Sequence, residues 1–351
     1  MNAGTPILGD VSEPLDLFDR EILPPPAPAL RRGASRVAPA EPSAAHRALA
    51  TALGPALRLG TSSWAFPGWA GLVYGQQHAA TALSRHGLSA YAAHPLLRTV
   101  SLDRAFYRPL AAAEYAAFAA QVPADFRFVV KASAEVCDAA LREPGSGRAI
   151  GDNPRFLDPT ATLATVLQPA VEGLGARLGA IVFQVSPLPP SWLAAPERLL
   201  DALARLFDAL PRPSQGLLAL ELRDPEPLTP PLASLLRRHG VRYVLGLHDR
   251  MPPLAEQLPM LRATWPGPLV CRWNLQRGLR YGAAKARFEP FDRLMAPDAA
   301  TRGALADLIA ATLGAGQPAF VTINNKAEGS APCSVFELAA AVAERLAGPA
   351  G

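Results

Sequence analysis

From Ala56 onward, short apolar runs alternate with stretches whose apolar residues recur every three or four positions. The runs are ALRLGTS (56–62), RTVSLD (98–103), FRFVVKA (126–132), GAIVFQV (179–185), GLLALELRD (216–224), VRYVLGLHD (241–249), GPLVCRW (267–273) and QPAFVTINN (317–325). Each has the length of a strand, and near-continuous apolar character suits strands buried on both faces, as parallel sheets require. Between and after them the helical pattern recurs near 79–93, 111–122, 160–174, 197–210, 230–239, 254–261, 301–313 and 335–346. Eight strand-then-helix units predict an α/β fold, a TIM-like (β/α)8 barrel over residues 56–348. An open doubly wound sheet would need a phosphate-binding glycine turn after an early strand, and no GxGxxG or Walker sequence occurs.

Residues 1–55 break this rhythm. They are rich in Pro and Ala, and prolines at 24, 25, 26 and 28 oppose both helix and sheet. The segment reads as a disordered leader with a short helix at 44–53.

The polar residues gather at the C-terminal ends of the expected strands, where a barrel builds its site. In chain order they are Ser62 and Trp64, Asp103, Lys131, Gln184, Glu221 with Arg223, His248 with Asp249, Arg272 with Asn274, and Asn324 with Asn325. Strand alternation puts Glu221 and Arg223 on one face, and two desolvated charges need a partner, a hydrogen bond or water. Glu221 is the general acid/base candidate, because a carboxyl in a partly dry site can have its pKa raised. Lys131 has two readings. A desolvated lysine can lose its proton and act as base or nucleophile, whereas a solvated one is a point charge for an acid or a substrate anion. Arg223 and Arg272 can grip a carboxylate or phosphate, or neutralise Glu221, Asp103 and Asp249. Ser62, Trp64, Asp103, Gln184, Asp249, Asn274, Asn324 and Asn325 complete the candidate ligand-binding set. The first loop, with Trp64, Trp69 and Tyr74, could stack on a ligand or pack on itself as a lid.

Other chemistry has less support. The His-rich sets of zinc hydrolases and the GxSxG nucleophile motif are absent, so no metal site is assigned. A carboxylate-based magnesium-like site drawn from His248, Asp249, Glu221 and Asp103 stays open.

Composition narrows the partners. The 351-residue chain carries a formal charge of +4, but only three of its cations are lysines and no basic run resembles a tail for DNA or anionic lipid. Nucleic acid is therefore disfavoured, and the expected partner is a small anionic molecule. The three cysteines are widely spaced, which fits a reducing compartment. With no secretory pattern and no membrane-length apolar stretch, the expected location is cytoplasmic, away from the membrane. The residues leave any cofactor unknown.

A series of short motifs resembles one family. GTSSWAFPGWAGLVYG (60–75), AFY (105–107), FRFVVKAS (126–133), VFQVSPLPPSW (182–192), ALELRDPEPL (219–228), CRWN (271–274) and INNKAEGSA (323–331) are similar, in order, to motifs of the domain-of-unknown-function 72 (YecE-like) proteins. The resemblance spans about 57–347 and implies a TIM-like barrel without an established activity. Lys131, Gln184, Glu221, Arg223, Arg272, Asn324 and Asn325 match the family pattern. Ser101 and Asp103 stand where that pattern has Glu and Asn, Cys137-Asp138 near its Thr-His, and Asn274-Leu275 at its His-Gly, which marks a divergent member.

Together these readings give a barrel that binds a small anionic compound at its C-terminal rim, with Glu221 and Lys131 as an acid–base pair if it catalyses a reaction. The alternatives are a metal-dependent phosphodiesterase or nuclease-like hydrolase, and a ligand-binding barrel without catalysis.

Overall fold

Eight parallel strands close into a barrel, β1 (Leu57–Thr61), β2 (Thr99–Leu102), β3 (Arg127–Lys131), β4 (Leu178–Gln184), β5 (Leu217–Glu221), β6 (Arg242–Leu247), β7 (Leu269–Trp273) and β8 (Ala319–Ile323). Neighbours in sequence are neighbours in the sheet, and β8 pairs with β1 to close the ring, Leu57 opposite Ala319 and Thr61 opposite Ile323. The computed structural model describes residues 37–143 and 145–348.

Strand alternation sorts the apolar residues into two cores. Val129, Ala180, Val182, Ala219, Val244, Val270 and Phe320 point inward and fill the barrel. Their alternates, including Leu59, Val100, Phe128, Val130, Ile181, Phe183, Leu220, Leu245, Cys271 and Val321, face outward into the shell of helices. Continued toward the strand ends, the inward phase delivers Lys131, Gln184, Glu221 and Arg272 to the barrel interior. Gly60 is forced by a close approach of β1 to β2, since a Cβ there would lie 1.8 Å from the Thr99 carbonyl oxygen.

The helices follow the strands as expected, with two refinements. The first is split at Gly87 into Ala80–His86 and Leu88–Ala92. The helix after β3 runs through a π turn, Leu163–Leu167, just ahead of Pro169, which has no N–H to continue the α-helical ladder.

Three stretches depart from the sequence reading. The polar loop after β3 contains an antiparallel hairpin, Ala140–Arg142 with Ala149–Asp152, too short and too exposed for an apolar pattern to betray it. The loop after β7 contains a helix, Tyr281–Phe288. The third is the later part of the expected leader. Residues 1–36 lie outside the described residues, but from Val37 the chain is packed on the barrel domain. Ala40 N donates to the Val73 carbonyl at 2.9 Å, and Gly75 N to that of Ala38 at 2.9 Å. The helix Ala44–Leu53, capped by Ser43, puts the His46 ring 4.2 Å from that of Phe336 in the last helix, Ala331–Ala347. Proline content masked this docking, because Pro39 tolerates the extended conformation of an edge bridge, here with Tyr74. Among the described residues no helix is long and apolar enough to cross a membrane.

Candidate active site

Arg272 crosses the upper barrel from β7. Its Nη1 donates to Glu221 Oε2 at 2.6 Å and to Gln184 Oε1 at 2.8 Å, while its Nη2 donates to both Asp103 oxygens at 2.9 and 3.0 Å. One guanidinium thus ties β7 to β4, β5 and the end of β2. Gly246, the inward residue of β6 between them, borders Glu221, and a Cβ there would meet Glu221 Oε1 at 3.7 Å, an ordinary contact. The Ser101 hydroxyl holds Asp103 from the same strand end.

Arg223 leaves β5 two residues after Glu221, so strand phase returns it to the same face. Its Nη2 donates to Gln184 Oε1 at 2.8 Å and lies 2.9 Å from Glu221 Oε1, to which Asn274 Nδ2 also donates at 3.4 Å. Arg223 is 3% exposed, and its Nε and Nη1 have no hydrogen-bond partner among the described residues.

The charges shape one another. Burial pushes the Glu221 carboxyl up, but Arg223 and Arg272 outweigh it and hold the group below the usual glutamate value. The expectation of a raised Glu221 pKa is therefore corrected: two guanidinium forks offset what desolvation would do. Lys131, 1% exposed, goes the other way. Burial drives its amine well below the ordinary lysine value; Asp103 opposes this, and Arg272 and Arg223 add to it. Its Nζ lies 3.4 Å from the centroid of the Phe106 ring.

His248 and Asp249 follow β6, with His248 Nδ1 within hydrogen-bonding reach of the Asp249 carboxylate. Burial lowers the His248 pKa, and nearby Arg223 lowers it further. Asp249 is pushed up by burial but held below its usual value by the His248 contact.

The structure therefore brings Asp103, Lys131, Gln184, Glu221, Arg223, Arg272 and Asn274 together, with His248 and Asp249 on the Arg223 side. Ser62 and Asn324 form a separate pair, Asn324 Nδ2 donating to Ser62 Oγ at 2.8 Å. Trp64 and Asn325 do other work. The Trp64 indole is buried, donates to the Leu83 carbonyl at 3.1 Å and packs edge-on against Phe118, so it is wall rather than rim. Asn325 Oδ1 accepts from Trp69 Nε1 at 3.2 Å and from Ala331 N at 2.8 Å, fixing the first loop to the start of the last helix. Asn325→Ala strands two buried donors and should cost about 2–4 kcal/mol in urea unfolding. A loss below about 0.5 kcal/mol would show that Asn325 does not hold these elements together.

Sequence reasoning missed Phe106, Ser101 and Gly246. Phe106 lay inside the AFY motif, and Gly246 at an inward strand position. Only the assembled barrel shows that both border Lys131 and Glu221. Among the described residues no group of three or more His, Cys, Asp or Glu could hold a metal ion. The Asp103 and Glu221 oxygens already accept from Arg272, so the carboxylate-based cation site left open by the sequence gains nothing from this arrangement.

Comparison with known proteins agrees with the fold. A DUF72 family protein from Thermotoga maritima MSB8 is 19% identical with a TM-score of 0.55, over 82% of this chain and 99% of that one. One from Enterococcus faecalis V583 is 18% identical with a TM-score of 0.53, over 82% and 95%. At these identities the likeness is one of fold. No curated protein matches the chain. The family model described as "Protein of unknown function DUF72" matches residues 58–350, nearly the whole barrel, and the chain belongs to that family.

Proposed function

We propose that the barrel binds a small anionic compound, phosphate or carboxylate, at its C-terminal rim, and that Lys131 exchanges a proton with it. The supporting observation is Arg223. A buried guanidinium is costly unless its donors are satisfied. One edge of this one is fixed by Gln184 and Glu221, while Nε and Nη1 have no hydrogen-bond partner among the described residues. Each of these two N–H groups, on different edges of the guanidinium, can donate a charge-assisted bond to an oxygen of an oxoanion. Glu221, kept ionised by two arginines, positions the forks, and the basic role passes to Lys131. In a ligand-binding barrel without catalysis the anion site would be the same and Lys131 would move no proton.

Titration calorimetry with inorganic phosphate and with succinate tests the reading. Removing one partner of a buried charge pair costs about 2–5 kcal/mol, so Arg223→Met should weaken binding at least about 30-fold. Arg223→Lys should recover part of the loss, because it restores charge but not the fork. Unchanged affinity in Arg223→Met would reject the proposed site.

A further inference from the structure

We infer that Lys131 is a carbonyl-trapping nucleophile, and that the natural ligand is an aldehyde or ketone carrying a carboxylate or phosphate. The inference rests on the anion site just proposed and adds the reactive group its ligand would carry.

The argument starts with placement. Lys131 is the last residue of β3 and continues the inward phase of Val129, so its stem rises from the dry barrel core. The same rim carries two guanidinium groups, Arg272 donating to both Asp103 oxygens and sharing Glu221 with Arg223. An aromatic ring, Phe106, and a buried thiol, Cys137, whose pKa burial pushes up to about 12, border the amine. Cys137 is thus held as a thiol and leaves the nucleophilic role to the lysine.

A second observation concerns choice of residue. Arginine supplies nearly all the positive charge of this chain, and lysine occurs at only three positions, Lys131, Lys285 and Lys326. The rim itself uses arginine for salt bridging, at Arg223 and Arg272. Lysine differs from arginine in one chemical capacity that matters here: a desolvated amine beside other cations becomes a free base, and a free amine attacks carbonyl carbon. The surroundings of Lys131 supply both conditions, burial and two neighbouring guanidinium groups.

The step balances without an added oxidant or reductant. The Nζ lone pair forms a C–N bond to the carbonyl carbon, and the π pair moves to oxygen. Proton transfer from nitrogen to oxygen gives a carbinolamine, which loses water as the C–O bond breaks and the C=N bond forms. One water leaves for each imine. The anionic group of the ligand would meet Arg223, which fixes the carbonyl carbon relative to Nζ.

Reductive trapping on the full chain tests this. The protein is incubated separately with glyoxylate, pyruvate and glycolaldehyde phosphate, treated with sodium borohydride, digested and read by peptide mass spectrometry. Hydride addition makes the adduct permanent and adds the mass of the carbonyl compound less one oxygen atom. An ordinary lysine is only about one part in 10³ free base at neutral pH, so Lys131 should be labelled at least about tenfold more than Lys285 or Lys326. Inorganic phosphate should suppress the labelling, and Lys131→Met should abolish it. Equal labelling of the three lysines would overturn the inference. So would absence of label on Lys131 with all three probes, and if phosphate still binds in an Arg223-dependent way, the anion reading survives alone. Loss of phosphate binding together with selective Lys131 labelling would reject the anion site and keep the nucleophile.

Discussion

Arg272→Met should destabilise the barrel by about 3–5 kcal/mol, the usual cost of removing one partner from a buried ionic network. Arg272 is fully buried and sits between two carboxylates from strands that are not its neighbours, Glu221 on β5 and Asp103 after β2. Methionine fills much of the volume but leaves Glu221 with Arg223 and the weaker Asn274 bond, and Asp103 without its bidentate partner. The acid limb of the stability profile should move as well. In the native chain the Glu221 pKa is depressed, so its contribution is present above the unfolded value of about 4.3 and is lost as pH falls through the folded value. With Arg272 gone, burial gains on the remaining arginine, the carboxyl pKa rises, and acid unfolding begins at higher pH. Adding Glu221→Gln and Asp103→Asn to the variant should return part of the stability, because the stranded charges disappear with their partner. Urea unfolding across acidic to neutral pH measures all of this. If Arg272→Met stays within about 0.5 kcal/mol of the native chain, the rim charges are hydrated rather than mutually dependent.

The barrel was readable because its two signals repeat. Eight apolar runs, each followed by a helical pattern, admit few topologies, and strand alternation assigned Glu221 and Arg223 to one face. What a one-dimensional reading could not supply was distance across the barrel. Arg272 lies 169 residues from Asp103 and 51 from Glu221, and nothing local says that one side chain meets both. That contact helps hold the Glu221 carboxyl below its usual value, against the raised pKa expected of it. Trp64 and Asn325 show the opposite limit. Both belong to motifs at strand ends, yet Trp64 turns into the wall between sheet and helices, and Asn325 holds the loop of Trp69 to the last helix. Motif position placed them at the right end of the barrel but not on the right surface. The helix at 44–53 was legible but the docking of 37–53 was not, because proline content reports only what the backbone cannot do, whereas docking depends on what the barrel domain presents to it.

The pH dependence of Lys131→Met tests the electrostatic premise beneath the site. A lysine whose folded pKa lies well below 10.5 gives up its proton more readily in the native state than in the unfolded chain. Between the two pKa values the unfolded state binds more protons, so native stability rises with pH, by about 1.4 kcal/mol per pH unit from this group alone. The amine therefore costs stability at neutral pH, and the cost shrinks as pH approaches the unfolded value. Methionine has similar length, carries no charge and suits the apolar neighbours, Phe106 and the stem's contacts with the barrel core. Lys131→Met should thus be more stable than the native chain at pH 7, by more than about 1.4 kcal/mol, and the two should converge toward the lysine's unfolded pKa. Denaturant midpoints from about pH 6 to about pH 10 give both curves, a range that brackets an ordinary lysine only at its upper end. Parallel curves would mean that the folded protein holds Lys131 charged. A charged ammonium has no lone pair to offer, so that result would remove the basis for either proton exchange or imine formation at this residue. Converging curves would mean that the fold gives up stability to hold a deprotonated amine among arginines, the protonation state that proton exchange or imine formation requires.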